Sequence, residues 1–200
     1  MDKAAMYQLT YGLFVLSAAE GGKDNGCIIN TAAQVTTTPN RITIAVNKQN
    51  YTHDMILRTG LFNLAILDRT VPFEAFQRFG FQSGRDVDKF AGGKAVRMEN
   101  GILMPAEHVT AWISGHVAQA IDIGTHTLFL SDVADAGVLS GLEPVTYALY
   151  QKEIKPKPQP TVKKGWRCKV CGYVYEGEEL PADFVCPICK HGAQDFERIG

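Results

Sequence analysis

The 200-residue sequence has no excess of either charge: 20 Lys and Arg stand against 21 Asp and Glu, a formal net charge of −1. Nucleic-acid recognition rests on clustered positive charge, so this balance gives no case for that class of partner. Nor is there an apolar run near the roughly 20 residues that cross a bilayer, and no membrane attachment is expected. The segment LFVLSAA, residues 13–19, is preceded by polar Tyr7, Gln8 and Thr10 with no basic region ahead of it. It reads as a first strand, not a leader. No GxGxxG or GxxxxGK occurs, and the twin glycines at Gly21 and Gly92 lack the strand-to-helix context of phosphate-binding loops. A dedicated dinucleotide or nucleoside triphosphate domain is therefore excluded. Internal repeats and low-complexity segments are absent too. Cysteine is scarce, 5 in all, and only Cys27 lies outside two CxxC pairs. That usage points to a reducing cytoplasm, with Cys27 in GCIIN read as a small buried apolar residue.

What the sequence does contain is concentrated at its end. Cys168 with Cys171 and Cys186 with Cys189 are spaced so that each pair can turn two sulfurs onto one metal ion. A tetrahedral four-thiolate shell suits zinc or iron, and spacing does not choose between them. Gly172 after the first pair and Pro187 inside the second are residues that let backbone amides fold back toward sulfur, a lever on the potential of an iron site. Trp166, Tyr173, Tyr175, Phe184 and Phe196 give this short stretch a heavy aromatic load. The segment resembles rubredoxin, whose CxxCGYxY and LPxDFxCPxC knuckles hold one iron that shuttles a single electron. The interval between the two pairs is shorter than in a typical rubredoxin and closer to the module fused to rubrerythrins. The resemblance implies iron, with a structural zinc ribbon as the other reading.

From Leu13 to Tyr150 the pattern is mainly that of strands. RITIAV, residues 41–46, alternates Ile42, Ile44 and Val46 on one face, and FNLAIL and the run from Thr110 to Ile123 carry similar patterns. EGGKDNG, residues 20–26, reads as the turn closing a first hairpin. Short helices are expected over 52–60, with Thr52 as cap and Gly60 as stop, and from Pro72 through Phe73, Phe76 and Phe79. Many strands with few helices predict a mainly β barrel or sandwich. FGFQSGRDVDKF, residues 79–90, is an aromatic and charged loop of the kind that covers a cofactor, although Phe79 and Phe81 fit a core equally well. His108 and His116 have no partner spacing and read as structural.

Residues 26–56, GCIINTAAQVTTTPNRITIAVNKQNYTHDMI, place a small and polar run, a proline, a strand and an Asn-Lys turn before a helix. A flavin ring needs amides and short polar side chains along its edge, which Asn30, Thr31, Ala32 and Gln34 can supply. Its phosphate needs a cation, hydroxyls and the free amides of a helix start, which Lys48, Tyr51 and Thr52 offer, with Asn47 and His53 as further donors. The order of these parts resembles the flavin reductase family, which implies a split β-barrel holding FMN, with FAD as the other reading. IDIGTHTLFLSDV, residues 121–133, is similar to the family's Gly-x-His step, which implies that His126 contacts flavin or nicotinamide. Thr125 stands where the family usually has Asp.

Between the two regions, QKEIKPKPQPTVKK carries alternate prolines from Pro156 to Pro160. It reads as an extended solvated linker over 151–164, dividing a domain at 1–150 from one at 165–200. The whole arrangement resembles the high-molecular-weight rubredoxins of anaerobic bacteria, a flavin reductase fused to a rubredoxin. That resemblance implies a homodimer that passes electrons from NADH or NADPH through FMN to iron, and on to a flavodiiron protein reducing dioxygen or nitric oxide. Two other readings stay open: a flavin and iron carrier reduced by another protein, and a flavin protein with a structural zinc ribbon.

Overall fold

The computed structural model describes residues 2–156 and 164–200. The proline-rich run of the expected linker falls at 157–163, outside the described residues. A 3-10 turn over Lys3–Gln8 precedes β1 (Phe14–Glu20) and β2 (Lys23–Ile29). The turn between them is Gly21-Gly22 alone, both with positive φ, so the Lys23–Gly26 part of the expected turn is already strand. Two left-handed residues in succession match the right-handed twist of a two-residue hairpin. Then come β3 (Ala32–Thr37), β4 (Asn40–Asn47), α1 (Tyr51–Thr59), β5 (Leu61–Leu67) and α2 (Phe73–Gly80). A small hairpin of β6 (Ala95–Arg97) and β7 (Leu103–Pro105) leads to the long β8 (Val109–Asp122) and β9 (His126–Val138).

Seven of these strands form one antiparallel sheet in the order β2-β1-β5-β8-β9-β4-β3. Its two edge strands are joined through Asn30 and Thr31, which curls the sheet into a barrel with an open seam. The period of two decides what fills it. On β1 and β5, Leu16, Phe62 and Leu64 face an inner core with Ile42, Ile44, Val46 and Phe129, closed by Met55 and Ile56 of α1. The alternate residues Leu13, Val15, Ala65 and Leu67 face an outer core covered by Phe76 and Phe79 of α2. Central strands buried on both faces read as nearly continuous apolar runs, as LFVL and FNLAIL do. Each fully buried large side chain contributes about 1.5–3 kcal/mol.

Two expectations need correcting. The N-cap of α1 is Asn50, not Thr52, while Gly60 ends the helix in the left-handed conformation at φ 70° as expected. The flavin-side domain also extends past Tyr150. A helical turn at Tyr147–Leu149 continues into a π-turn over Tyr150–Ile154, and Tyr150 packs at a tilt against Phe76, 4.4 Å between ring centroids. Apolar packing holds Ile154 against the outer core, so polar Gln151, Lys152 and Glu153 are a solvated helical face and not the start of a linker.

The C-terminal module is a three-stranded sheet of β10 (Gly165–Cys168), β11 (Val174–Tyr175) and β12 (Phe196–Ile199), in the order β11-β10-β12. Its core is Cys168, Cys186, Cys189 and Phe196, ringed by Trp166, Tyr173, Tyr175 and Phe184. Among the described residues no helix is long and apolar enough to cross a membrane.

Candidate metal centre and cofactor cleft

The four C-terminal thiols converge. All four Sγ atoms lie within 4.8 Å of one another, with Cys168–Cys189 and Cys171–Cys186 each at 3.5 Å. A tetrahedron with metal–sulfur bonds of about 2.3 Å has edges of about 3.8 Å, so the cluster fits one ion. Three of the cysteines are buried and Cys171 is half-buried.

The two CxxC loops are built alike. Gly172 N–H donates to Cys168 O at 2.9 Å and Lys190 N–H to Cys186 O at 3.0 Å. One residue outward, Cys168 N–H donates to Tyr173 O and Cys186 N–H to His191 O, both at 2.8 Å. The turn that closes each loop needs positive φ, met by Gly172 at 81° and Lys190 at 65°. Backbone amides are thereby aimed at sulfur. Burial raises the Cys168 thiol, yet the amides of Cys171 and Val170 and the neighbouring thiols bring it below its usual value. Burial dominates at Cys171, pushing it up to about 11 against the Tyr173 amide, and Cys189 is likewise raised against the His191 amide. Metal coordination reverses this preference, since a coordinating thiol is deprotonated outright.

Sequence reading singled out Gly172 and Pro187, but the residue equivalent to Gly172 is Lys190. Aligning CKVCG with CPICK would have revealed it. A lysine held left-handed costs about 1 kcal/mol. Lys190→Gly is expected to stabilise the metal-loaded module by about 0.5–1 kcal/mol, seen as slower loss of metal to a chelator.

The nine residues expected to meet a flavin divide into groups. Asn47 lies opposite His126 across β4 and β9, and Lys48 N–H donates to Thr125 O at 3.0 Å. Lys48 Nζ pairs with Asp122 at 2.7 Å at the tip of the β8–β9 hairpin, which holds that carboxyl below its ordinary range. Asn47 Oδ1 accepts from Gln49 N–H at 2.9 Å and shapes the turn into α1. His126 Nδ1 and Thr125 Oγ1 are 2.8 Å apart. This cation, turn and helix start stand together where the β8–β9 hairpin meets the start of α1. Along β3, Thr31 Oγ1 donates to Ala45 O, and Gln34 Nε2 donates to Asn40 Oδ1. Ala32 and Gln34 stand at the rim of an apolar cavity of about 300 Å³ between Phe14, Ile66, Ile113 and Val133. Asn30 lies half-buried in the β2–β3 connection. Ala32 pairs with Ile44, three residues along β4 from Asn47, so the edge of this cavity and the Lys48 turn are about 10 Å apart.

Three expected residues sit differently. Thr52 is fully buried and its hydroxyl accepts from Asn25 Nδ2 at 3.0 Å, leaving only its backbone amide at the helix start. His53 is buried between Thr127 Oγ1 at 2.8 Å and Asp54 at 3.0 Å. Tyr51 carries Lys23 and Arg85 against its ring at 5.1 and 5.0 Å. Arg85 also bonds Asp54 at 2.7 Å, and sequence reading missed both cations, although Arg85 belongs to the charged loop it marked. That loop is pinned by Lys89, buried, with Nζ donating to Gly26 O at 2.9 Å and Phe79 O at 3.1 Å. Cys27 is buried, and loss of solvent raises its thiol.

Comparison with known proteins adds identity to this geometry. Residues 6–156 match the flavin reductase like domain family, and residues 166–197 match the rubredoxin-like domain of rubrerythrin. The high molecular weight rubredoxin of Moorella thermoacetica is 37% identical over 229 aligned residues, covering 100% of both chains. A ferric-chelate reductase (NAD(P)H) of Archaeoglobus fulgidus is 35% identical, covering 80% of this chain and 95% of its own. Among solved structures, a Streptomyces globisporus NADH:FAD oxidoreductase superposes with a TM-score of 0.65 at 20% identity, over 72% of this chain and 85% of that one. A seven-stranded barrel joined to a four-thiolate module, and matched along its whole length, leaves one conclusion: the chain belongs to the flavin reductase-like family and is a high-molecular-weight rubredoxin-like protein, a flavin domain carrying a four-cysteine iron module.

Proposed function

We propose that this protein carries electrons from NADH or NADPH through FMN to the iron of Cys168, Cys171, Cys186 and Cys189, and on to a flavodiiron protein. The observation that supports the reading is the joining, in one chain, of a flavin reductase-like domain and a cluster of four cysteines able to hold one metal ion. A pyridine nucleotide yields electrons as a pair, while a one-iron site accepts them singly, and a bound flavin supplies the chemistry that converts one into the other. The barrel's own residues position that exchange. Lys48 and the free amides at the start of α1 would hold the phosphate. Asn30, Thr31, Ala32 and Gln34 would meet the polar edge of the ring. His126 would contact flavin or nicotinamide. A hydride step needs no general acid or base, and none is assigned.

The protein works as a cytoplasmic homodimer. Val138, 80% exposed, together with Leu139, Ile121, Ile123 and Val35, leaves apolar surface on and beside β3, β8 and β9, and a second copy would cover it.

Lys48→Ala is expected to weaken FMN binding about tenfold or more, the worth of a charge-assisted phosphate contact. Titration of the flavin-free protein with FMN and with riboflavin checks this. A loss confined to FMN supports the assignment, and an equal loss for both ligands contradicts it. The function itself is tested by assaying purified protein for iron and FMN and following anaerobic NADH or NADPH oxidation with a flavodiiron protein and dioxygen or nitric oxide. Iron, FMN and partner-dependent turnover are expected. Zinc in place of iron, or turnover indifferent to the partner, would overturn the reading.

A further inference from the structure

We propose that Phe81, at the C-terminal end of α2, is the seat on which the iron module docks against the flavin domain of its own chain. The inference rests on the flavin-to-iron reading above and names where the second transfer is organised. Among the described residues, Phe81 alone packs both into the outer core of the barrel and against the Cys168, Cys186, Cys189 and Phe196 cluster. Its ring lies 6.0 Å from that of Phe73, and its N–H donates to Gln77 O, closing the helix. The side chain is thus held by the barrel and presented outward.

A second observation, independent of that contact, points to the same face. The turn over Tyr150–Ile154 packs on α2, with Tyr150 against Phe76 and Ile154 in the same core. The chain therefore leaves the barrel beside α2, and residues 155–164 span at most about 35 Å. A tether of that length makes docking intramolecular, at an effective concentration on the order of millimolar. Little contact area is then needed, in keeping with the small interfaces of electron-transfer encounters. The contact is also apolar: among the described residues no ion pair joins the barrel to the iron module. An aromatic side chain against that cluster covers apolar surface and holds one orientation without a charge pair.

The step served is balanced as one electron leaving reduced flavin and one ferric iron becoming ferrous. A hydride from NAD(P)H reduces two such irons in turn, with one proton released to solvent.

Two measurements on the full-length protein test the proposal. With p-benzoylphenylalanine at position 81, irradiation is expected to cross-link to peptides from residues 165–200 within one chain, as mass spectrometry of mixed isotopic samples would show. Cross-links confined to residues 2–156 would overturn it. In anaerobic stopped-flow, Phe81→Ala should slow bleaching of the iron–thiolate bands about tenfold, the worth of one aromatic contact, with flavin bleaching unchanged. Phe81→Trp should restore the rate, and neither rate should respond to added salt. An unchanged iron rate in Phe81→Ala contradicts the seat. Wild-type iron that never bleaches refutes the flavin-to-iron reading instead, and the cross-link still decides the docking.

Discussion

Cys186→Ser is expected to remove the iron and unfold the C-terminal module while leaving the flavin domain intact. Cys186 is fully buried, and its Sγ lies 3.5 Å from that of Cys171. A serine hydroxyl stays protonated at neutral pH and has no affinity for a thiolate-selective site, so the tetrahedron loses a corner. The consequence exceeds one bond. Residues 165–200 form a module below the roughly 40 residues that fold on a core alone, and three of the residues at its centre are the cysteines themselves. Metal binding there is folding free energy, of about 10 kcal/mol or more for comparable four-ligand sites. The visible spectrum should lose its iron–thiolate bands, limited proteolysis should trim the chain after the barrel, and FMN should titrate as in the parent. Retention of one iron per chain with the parental spectrum would contradict the assignment.

The second large effect lies in the barrel. Gly115 on β8 stands opposite Phe62 on β5, at a point where the β8–β9 register shifts. A Cβ at 115 would lie 2.1 Å from Phe62 Cζ. The aromatic ring covers the glycine backbone, a device that fills the space a side chain would have taken. Phe62 is fully buried in the inner core, so it has no open direction in which to retreat. Gly115→Val is expected to cost about 3 kcal/mol through overpacking. Denaturant unfolding of the flavin domain gives the value. A double-mutant cycle shows the cause: Phe62→Leu should cost less in a Gly115→Ala background than in the parent, because it relieves the clash. Additive costs would place the strain elsewhere.

Much of the fold could be read from residue patterns. The alternation of Ile42, Ile44 and Val46 appears as alternating burial along β4, and the first strand and first hairpin stand where the apolar run and the twin glycines put them. Gly60 ends α1 because a residue without Cβ adopts the left-handed cap freely. The thiol cluster was legible because CxxC spacing is itself a statement of geometry.

What escaped the sequence was direction. Thr52 and His53 follow Tyr51 on one helix turn, and only the barrel's packing decides that both point inward to Asn25 and Thr127. A motif gives the order of its residues and not which way the helix is rotated. Lys190 was missed for a related reason: its left-handed backbone comes from the loop it closes, against the preference of its own type. The π-turn at Tyr150–Ile154 likewise depends on a long-range aromatic contact with Phe76, which no local signal announces.

The proposed route takes electrons in at the barrel and out through the four-cysteine iron. Anaerobic stopped-flow mixing of the intact protein with NADH, and then with NADPH, tests it most directly, with flavin and iron–thiolate bands recorded together. Flavin bands are expected to bleach first with one or both nucleotides, and iron bands to follow at a rate independent of protein concentration. Iron that stays oxidised while flavin is reduced, or flavin that no nucleotide reduces, would contradict it.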